Sequence, residues 1–296
     1  MTPATPVTPV PYGIDAVGAS SAAAFEEAYA ALAAEFEPRG ELERREVIAR
    51  WLDEPAKRSE ARDGATLARW YHLLVARDEQ GALAGVRDCH VILDHAAGIA
   101  TVYLAHVLVL PRYRRTGLGA LFRTEAIAMA RRDLGERGLP AKIDLVLAAE
   151  MEPCDLDDEA SIIRLVAYGK DGFAAITPRA LPYCQPDFRD LGSAPDGDER
   201  ARPIPLLAIV RFLGHEGART LPRRLARAFV THLYAVFETH VLEGHLRALE
   251  TRTLEALDAF PPGDVPLLPL PRAIDDRSAL TALTRAAVLP LFAAEL

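Results

Sequence analysis

The residues with the clearest chemical content lie at 107–132, VLVLPRYRRTGLGALFRTEAIAMARR. Three arginines and two glycines stand between an apolar run ending in proline and a long helical pattern. Those residue types bind an anion. Gly117 and Gly119 adopt backbone angles that other residues resist, and they let a ligand come close. The first N–H groups of a following helix have no partner inside it, and the helix dipole adds positive character there. Arg114 and Arg115 add full charges. No Gly-Lys-Ser/Thr follows, which excludes the nucleotide-triphosphatase loop, and the Gly-x-Gly-x-x-Gly dinucleotide spacing is missing. The expected anion contacts are Arg114, Arg115, Thr116, Gly117, Leu118, Gly119 and Ala120.

Two further positions carry titratable side chains at the ends of elements. In RLVAYGKDGF, residues 164–173, a helix ends with Gly172 beyond it, and Tyr168 sits in its last turn. A phenol is protonated at neutral pH and donates a hydrogen bond. Glu150 ends the apolar run KIDLVLAAE, residues 142–150. It is a candidate base, with a solvated strand end as the alternative. Glu152 and Asp155 are weaker candidates.

The spacing Arg114-x-x-Gly117-x-Gly119, preceded by Val109-Leu110-Pro111, resembles the signature of the GNAT superfamily of acyl-CoA-dependent N-acyltransferases. The downstream Tyr168-x-Lys170-x-Gly172-Phe173 is similar to a second segment of the same superfamily, one strand and one helix later. The resemblance implies that the loop binds the pyrophosphate of acetyl-CoA or another acyl-CoA. It implies that backbone N–H groups near Val107, Leu108 and Val109 polarise the acyl carbonyl, and that Tyr168 protonates the departing thiolate. Where the superfamily often has an asparagine seven residues before the tyrosine, Ser161 stands here, a shorter contact for the pantetheine arm.

The implied activity is direct transfer of an acetyl or other acyl group to an amine, on a small molecule or a peptide. The amine would be read by residues 20–70. Two alternatives are a non-catalytic module that binds acyl-CoA or an acylated carrier protein, and an enzyme for longer acyl chains. Superfamily members often carry a glutamate or histidine on the fourth strand. By alternation Tyr103, Ala105, Val107 and Val109 share one face, without a carboxylate, and His106 is expected on the other face against a helix.

The elements that must position these residues follow from periodicity. Strands are expected at Tyr12 to Val17, 70–78, 83–94, 99–110, 142–150, Phe173 to Thr177 and 205–213. Helices are expected at Ala22 to Phe36, Leu42 to Leu52, Ala120 to Arg132 and Glu159 to Tyr168, and a single one from Leu221 to Leu257. Residues 53–66 and 185–203 read as irregular. Prolines from Pro261 to Pro271 read as a break before a last helix, Ser278 to Leu289. The expected fold is a mixed α/β one: a mostly antiparallel central sheet flanked by helices over residues 12–214, after a flexible tail at 1–11 and before a helical extension at 215–296.

Composition narrows the remaining classes. Half of the 296 residues are hydrophobic and 26% are charged, enough for a sizeable core. The net charge of −8 argues against nucleic-acid binding. No apolar stretch is long enough to span a membrane, and the first residues lack the pattern of a signal peptide. Cys89, Cys154 and Cys184 are widely spaced, which argues against a zinc site or a disulfide framework and for a reduced, cytoplasmic setting. His232, His240 and His245 do not share one helical face, so no metal is expected and a solvated surface is. Arg223, Arg224 and Arg227 read as solvent-facing. The apolar stripe from Leu225 to Val241 packs on its own domain or serves a homodimer.

Overall fold

The structure, a computed structural model, describes residues 12–54, 57–60, 66–136, 143–186, 203–237 and 243–292. The expected tail at 1–11, His240 and most of the expected loop at 185–203 lie outside these residues. In chain order the elements are β1 (Gly13–Ala16), α1 (Ala23–Phe36), α2 (Arg45–Asp53), β2 (Lys57–Glu60), β3 (Thr66–Arg77), β4 (Leu83–Asp94), β5 (Ile99–Tyr103), β6 (Val107–Val109), α3 (Leu118–Glu136), β7 (Asp144–Met151), α4 (Glu159–Lys170), β8 (Ala174–Ile176), β9 (Cys184–Gln185), β10 (Ile204–Pro205), β11 (Leu207–Phe212), β12 (Thr220–Leu221), α5 (Arg223–Phe237), α6 (Glu243–Ala259), β13 (Val265–Pro269), α7 (Arg277–Ala282) and α8 (Arg285–Val288).

The fold is mixed α/β, with one large, mostly antiparallel sheet in the order β1-β3-β4-β5-β7-β11-β8-β13-β12. β2 pairs with β3, and β6 pairs with β4. Among the described strands only β5 and β7 run parallel, from Ile99 opposite Asp144 to Tyr103 opposite Ala148. α3 makes that crossover. Its Leu118, Phe122, Ala126, Met129 and Ala130 recur every three or four residues and are buried.

Alternation on β4 sorts the two faces of the sheet. Gly85, Arg87 and Cys89 look toward α3 and α4. A Cβ on Gly85 would meet Leu118 and Phe122 of α3, and Arg87 reaches Tyr168 of α4. Asp88 and His90 look toward α1, α2 and α5. Trp51 of α2 packs on His90 with ring centroids 4.7 Å apart, and Phe237 of α5 packs on Tyr103. Both faces are covered, so the middle strands are buried along nearly their whole length.

Four expectations are corrected. The strand expected at 99–110 is two strands. The helix expected from Leu221 to Leu257 is two helices, α5 and α6, which pack on each other as one straight rod could not. The expected proline break holds β13, which carries Pro266 and Pro269 and pairs with β8 and β12 near the sheet's end, where missing donors are tolerated. Part of the charged segment expected to be irregular, Lys57–Glu60, is strand β2. The C-terminal third is therefore not helical only: it gives β12 and β13 to the sheet and packs α5 against β5.

Candidate active site

The site begins where β5 and β7 separate. Leu104 N–H still donates to Ala148 O at 2.8 Å. Beyond that point β7 continues to Met151 with β11 as its ladder partner, while the other strand leans away with β4. The cause is a bulge. His90 lies opposite Tyr103 and Arg87 lies opposite Val107, so three steps along β4 match four along the neighbouring chain. The extra residue breaks the ladder and bends the strand.

The bulge also reverses the alternation. Val107 shares the face of Arg87, whereas Tyr103 shares that of His90. The expectation that Tyr103 and Val107 face the same way is thus corrected. So is the placing of His106 on the face opposite Tyr103, since it meets Asp88 on Tyr103's side.

The main-chain directions at the bulge are defined. Asp88 N–H donates to His106 O at 3.2 Å, and Leu110 N–H donates to Ala84 O at 3.0 Å. Residues 106, 108 and 110 therefore turn their peptide groups toward β4. Val107 and Val109 turn theirs into the gap, and Leu108 is the buried residue between them. Arg114 Nε donates to Val109 O at 3.2 Å, at the outer end of that gap.

A single helical turn at Pro111–Tyr113 carries the chain to the glycine segment. Arg115 has φ 66°, the one left-handed non-glycine among the described residues, and Gly117 has φ 89°. Such a conformation at an arginine needs support from its surroundings. Thr116 gives it: its hydroxyl donates to Tyr113 O at 2.7 Å and accepts from the Tyr12 hydroxyl at 2.8 Å. Space around Gly117 is open, since an added Cβ there would meet nothing within 4 Å.

α3 starts immediately after. Gly117 O accepts from Ala120 and Leu121, but no acceptor among the described residues meets the N–H groups of Gly117, Leu118 or Gly119. The start of α4 is different, because Asp158 accepts from Ala160 N–H and Ser161 N–H. Arg115 and Glu159, 3.8 Å apart and exposed, show that the two helix starts are neighbours. One is capped and one is open to an anion.

Tyr168 is nearly buried in the last turns of α4. Its oxygen accepts from Arg87 Nη2 at 3.2 Å, and its ring lies 4.9 Å from the Arg123 guanidinium, which is ion-paired with Asp171. Gly169 places the phenol: an added Cβ would lie 2.2 Å from Pro271 O, so α4 sits directly on that segment. Ser161 is buried, and its hydroxyl accepts from Asp155 N–H at 3.1 Å, which holds the turn before α4.

On the opposite face, below the bulge, lies a buried polar cluster. His106 Nδ1 meets Asp88 at 3.1 Å and Nε2 meets Glu41 O at 2.8 Å. Burial opposes charge on the ring, but the Asp88 carboxylate outweighs it and raises the His106 pKa to about 10. Burial acts on Asp88 in the opposite sense, yet His106 holds its carboxyl below the usual range. Glu150 receives hydrogen bonds from the Tyr103 and Tyr183 hydroxyls on its two oxygens. Burial raises its pKa, against the pull of those phenols. It is therefore no solvated strand end. Glu43, in the turn before α2, is buried with Oε2 unpartnered, and burial pushes its pKa up to about 7.

Val107, Val109 and Arg114 thus lie along β6, Gly117 and Gly119 open the helix that follows, Tyr168 is tied to the same face of the sheet through Arg87, and Glu150 lies on the other face. Glu152 and Asp155 lie elsewhere, in an exposed pair with Arg164 and in the turn before α4. Sequence reasoning missed Arg87, Glu43 and Asp88. A charged residue inside an otherwise apolar strand was the signal for Arg87 and Asp88.

His232 is corrected from solvated to buried, and hydrogen-bonds Thr101 at 2.8 Å. Of the arginines expected to face solvent, Arg224 is exposed and pairs with Asp144, Arg227 pairs with Asp258, and Arg223 donates to the carbonyls of Phe260 and Gly263. The three cysteines are buried, and no cluster fit for a metal occurs among the described residues. No described helix is long and apolar enough to cross a membrane.

No protein-family profile matches the chain, and no curated protein is similar to it in sequence. Solved structures similar to it include GNAT acetyltransferases. A Bacillus subtilis acetyltransferase in complex with CoA is 17% identical, with 69% of this chain and 99% of that one covered and a TM-score of 0.37. A Staphylococcus aureus acetyltransferase of the GNAT family is 12% identical, with the same coverage and a TM-score of 0.38. The glucosamine N-acetyltransferase region of a fungal multi-domain beta-N-acetylglucosaminidase is 16% identical with a TM-score of 0.37. There 57% of this chain matches, over only 18% of the fungal protein.

Proposed function

We propose that this protein is a GNAT-type N-acyltransferase that moves an acyl group from acyl-CoA to an amine. One observation carries the reading: the gap between β6 and the end of β7 opens beside the uncapped start of α3. A long thin anion fits that geometry. Its phosphates would lie on the N–H groups of Gly117, Leu118 and Gly119, near Arg114 and Arg115. Its arm would lie along β6, where Val107 and Val109 offer the main-chain groups that no strand takes up.

The chemistry then divides between the two faces. The amine enters from the side of α1 and α2, where Glu43 and Glu150 suit a cation. Glu150 takes the proton that the attacking nitrogen sheds, and the burial that raises its pKa makes it a better proton acceptor than an exposed carboxylate. Val107 or Val109 N–H supports the carbonyl oxygen as it gains charge. The carbon–nitrogen bond forms, the carbon–sulfur bond breaks with its electron pair on sulfur, and Tyr168 returns a proton to that sulfur.

The competing reading is a module that binds acyl-CoA without turnover. The engagement of both Glu150 oxygens by phenols favours it. Thermal unfolding with free CoA, acetyl-CoA and a long-chain acyl-CoA tests the shared cofactor site. A ligand specific for the native state at a hundred times its dissociation constant stabilises by about 2.7 kcal/mol. No shift with any of the three would remove the reading. Release of free CoA with an amine panel separates enzyme from module, and the ranking of acyl chains tells an acetyl site from a long-chain one.

A further inference from the structure

Arg87 is the largest fully buried side chain among the described residues, and it is a cation. It stands on β4 opposite Val107, on the face of α3 and α4. Its one described polar contact is the bond from Nη2 to the Tyr168 oxygen at 3.2 Å. Nε and Nη1 are buried with no acceptor. Arg123 nearby differs, because Asp171 neutralises it. A buried guanidinium without a carboxylate is costly, since removal from water is not repaid by an opposite charge. Such a group persists where an anion visits it.

The bond has a second consequence. A guanidinium has donors only. The Tyr168 oxygen must therefore accept from Arg87, and its own proton is free to point away from Arg87, toward the gap. If acyl transfer proceeds as proposed above, negative charge appears on the sulfur at the moment the carbon–sulfur bond breaks. It passes to the Tyr168 oxygen when the phenol gives up its proton, and water later restores that proton.

We infer that Arg87 is a positioning residue that aims the Tyr168 hydroxyl at the leaving sulfur and supplies the fixed counter-charge for the thiolate and phenolate that form there. The site is thus built for an anionic sulfur as well as for the phosphates. This inference rests on the acyl-CoA reading and concerns only the end of the arm.

Free CoA is the probe, because its thiol is the departing group. The midpoint of free CoA, titrated in the same buffer, is the reference. Thiolate absorbance of CoA bound to the wild-type protein, followed against pH, is expected to show a midpoint lower by about one pH unit or more, as an opposite charge within a few ångströms produces. Arg87→Met is expected to abolish that shift while CoA still binds, and Arg87→Lys to keep part of it. Without ligand, Arg87→Met is expected to unfold at a temperature equal to or above the wild type, because an uncompensated charge has been removed. A merely structural arginine would lower it. An unshifted midpoint in the wild type overturns the inference even if Arg87→Met does not fold, and so does an equal shift in wild type and Arg87→Met. Failure of the wild type to bind CoA removes the acyl-CoA reading and this inference with it.

Discussion

Tyr168 and Glu43 show how far a side chain's surroundings decide its chemistry. Tyr168 has no base beside it and a cation behind it, so it can only give its proton outward. Tyr168→Phe is expected to lower turnover by about 10²–10⁴-fold with CoA affinity nearly unchanged. A steady-state comparison of kcat with a direct CoA titration checks this, and an unaltered rate where chemistry is limiting would remove the acid role. Glu43 carries a linkage consequence. Its carboxyl titrates at about 7 when folded against 4.5 in the reference state. A raised acid binds more protons folded than unfolded, so its contribution to stability is best below the unfolded value and declines as pH rises to about 7. Glu43→Gln is therefore expected to raise stability above pH 7, by up to about 3 kcal/mol, and to change little near pH 4. Denaturant unfolding at both pH values measures the difference, and an equal effect at both would reject a buried, titrating Glu43.

At the scale of elements, the phosphate segment was legible and the bulge was not. Gly117, Gly119 and the helix after them carry their meaning locally: a left-handed glycine and an open helix start need only their own neighbours in sequence. Gly117→Glu puts a side chain and a negative charge at φ 89°, where an L-residue is strained. It is expected to abolish CoA binding in calorimetry, and unchanged affinity would sink the loop assignment. The bulge depends on how many residues of β4 face Tyr103 to Val107, and a run of apolar residues does not announce that count. One residue of slip inverted the faces assigned to Val107 and His106. The burial of Glu43 was equally hidden, since the charged groups near it, His106, Asp88 and Glu150, are distant in sequence. Gly169 is an element-scale determinant of the site. Gly169→Ala is expected to push α4 off residues 270–271 and destabilise by about 1–3 kcal/mol, with a loss of turnover as Tyr168 shifts. A melting temperature within error of wild type would contradict that close approach.

At the scale of the whole molecule, the sheet joins segments far apart in sequence. β8 is flanked by β11 and β13, and α5 covers β5 and Tyr103. The apolar stripe of α5 was readable, but the near-complete burial of α5 was not, because α6 packs against it as well. A chain ending at Arg219 is expected to lose cooperative unfolding and to aggregate, even though it keeps every residue assigned to the site. Circular dichroism and light scattering of that fragment check this, and a sharp transition at the full-length temperature would show the C-terminal third to be dispensable.

The late arrival of β13 has a consequence during synthesis. β8 leaves the ribosome some ninety residues before the strand that will lie beside it, as Ala174–Ile176 and Val265–Pro269 define. For that interval the β8 side of the sheet presents unsatisfied main-chain groups with which other chains can pair. β13 then closes that side: it pairs with β8, β12 covers its other side at Val265 and Pro266, and its prolines offer no donors. Assembly of this sheet is thus ordered in time, and a cell short of chaperone holding capacity should lose this protein at the stage between those two strands.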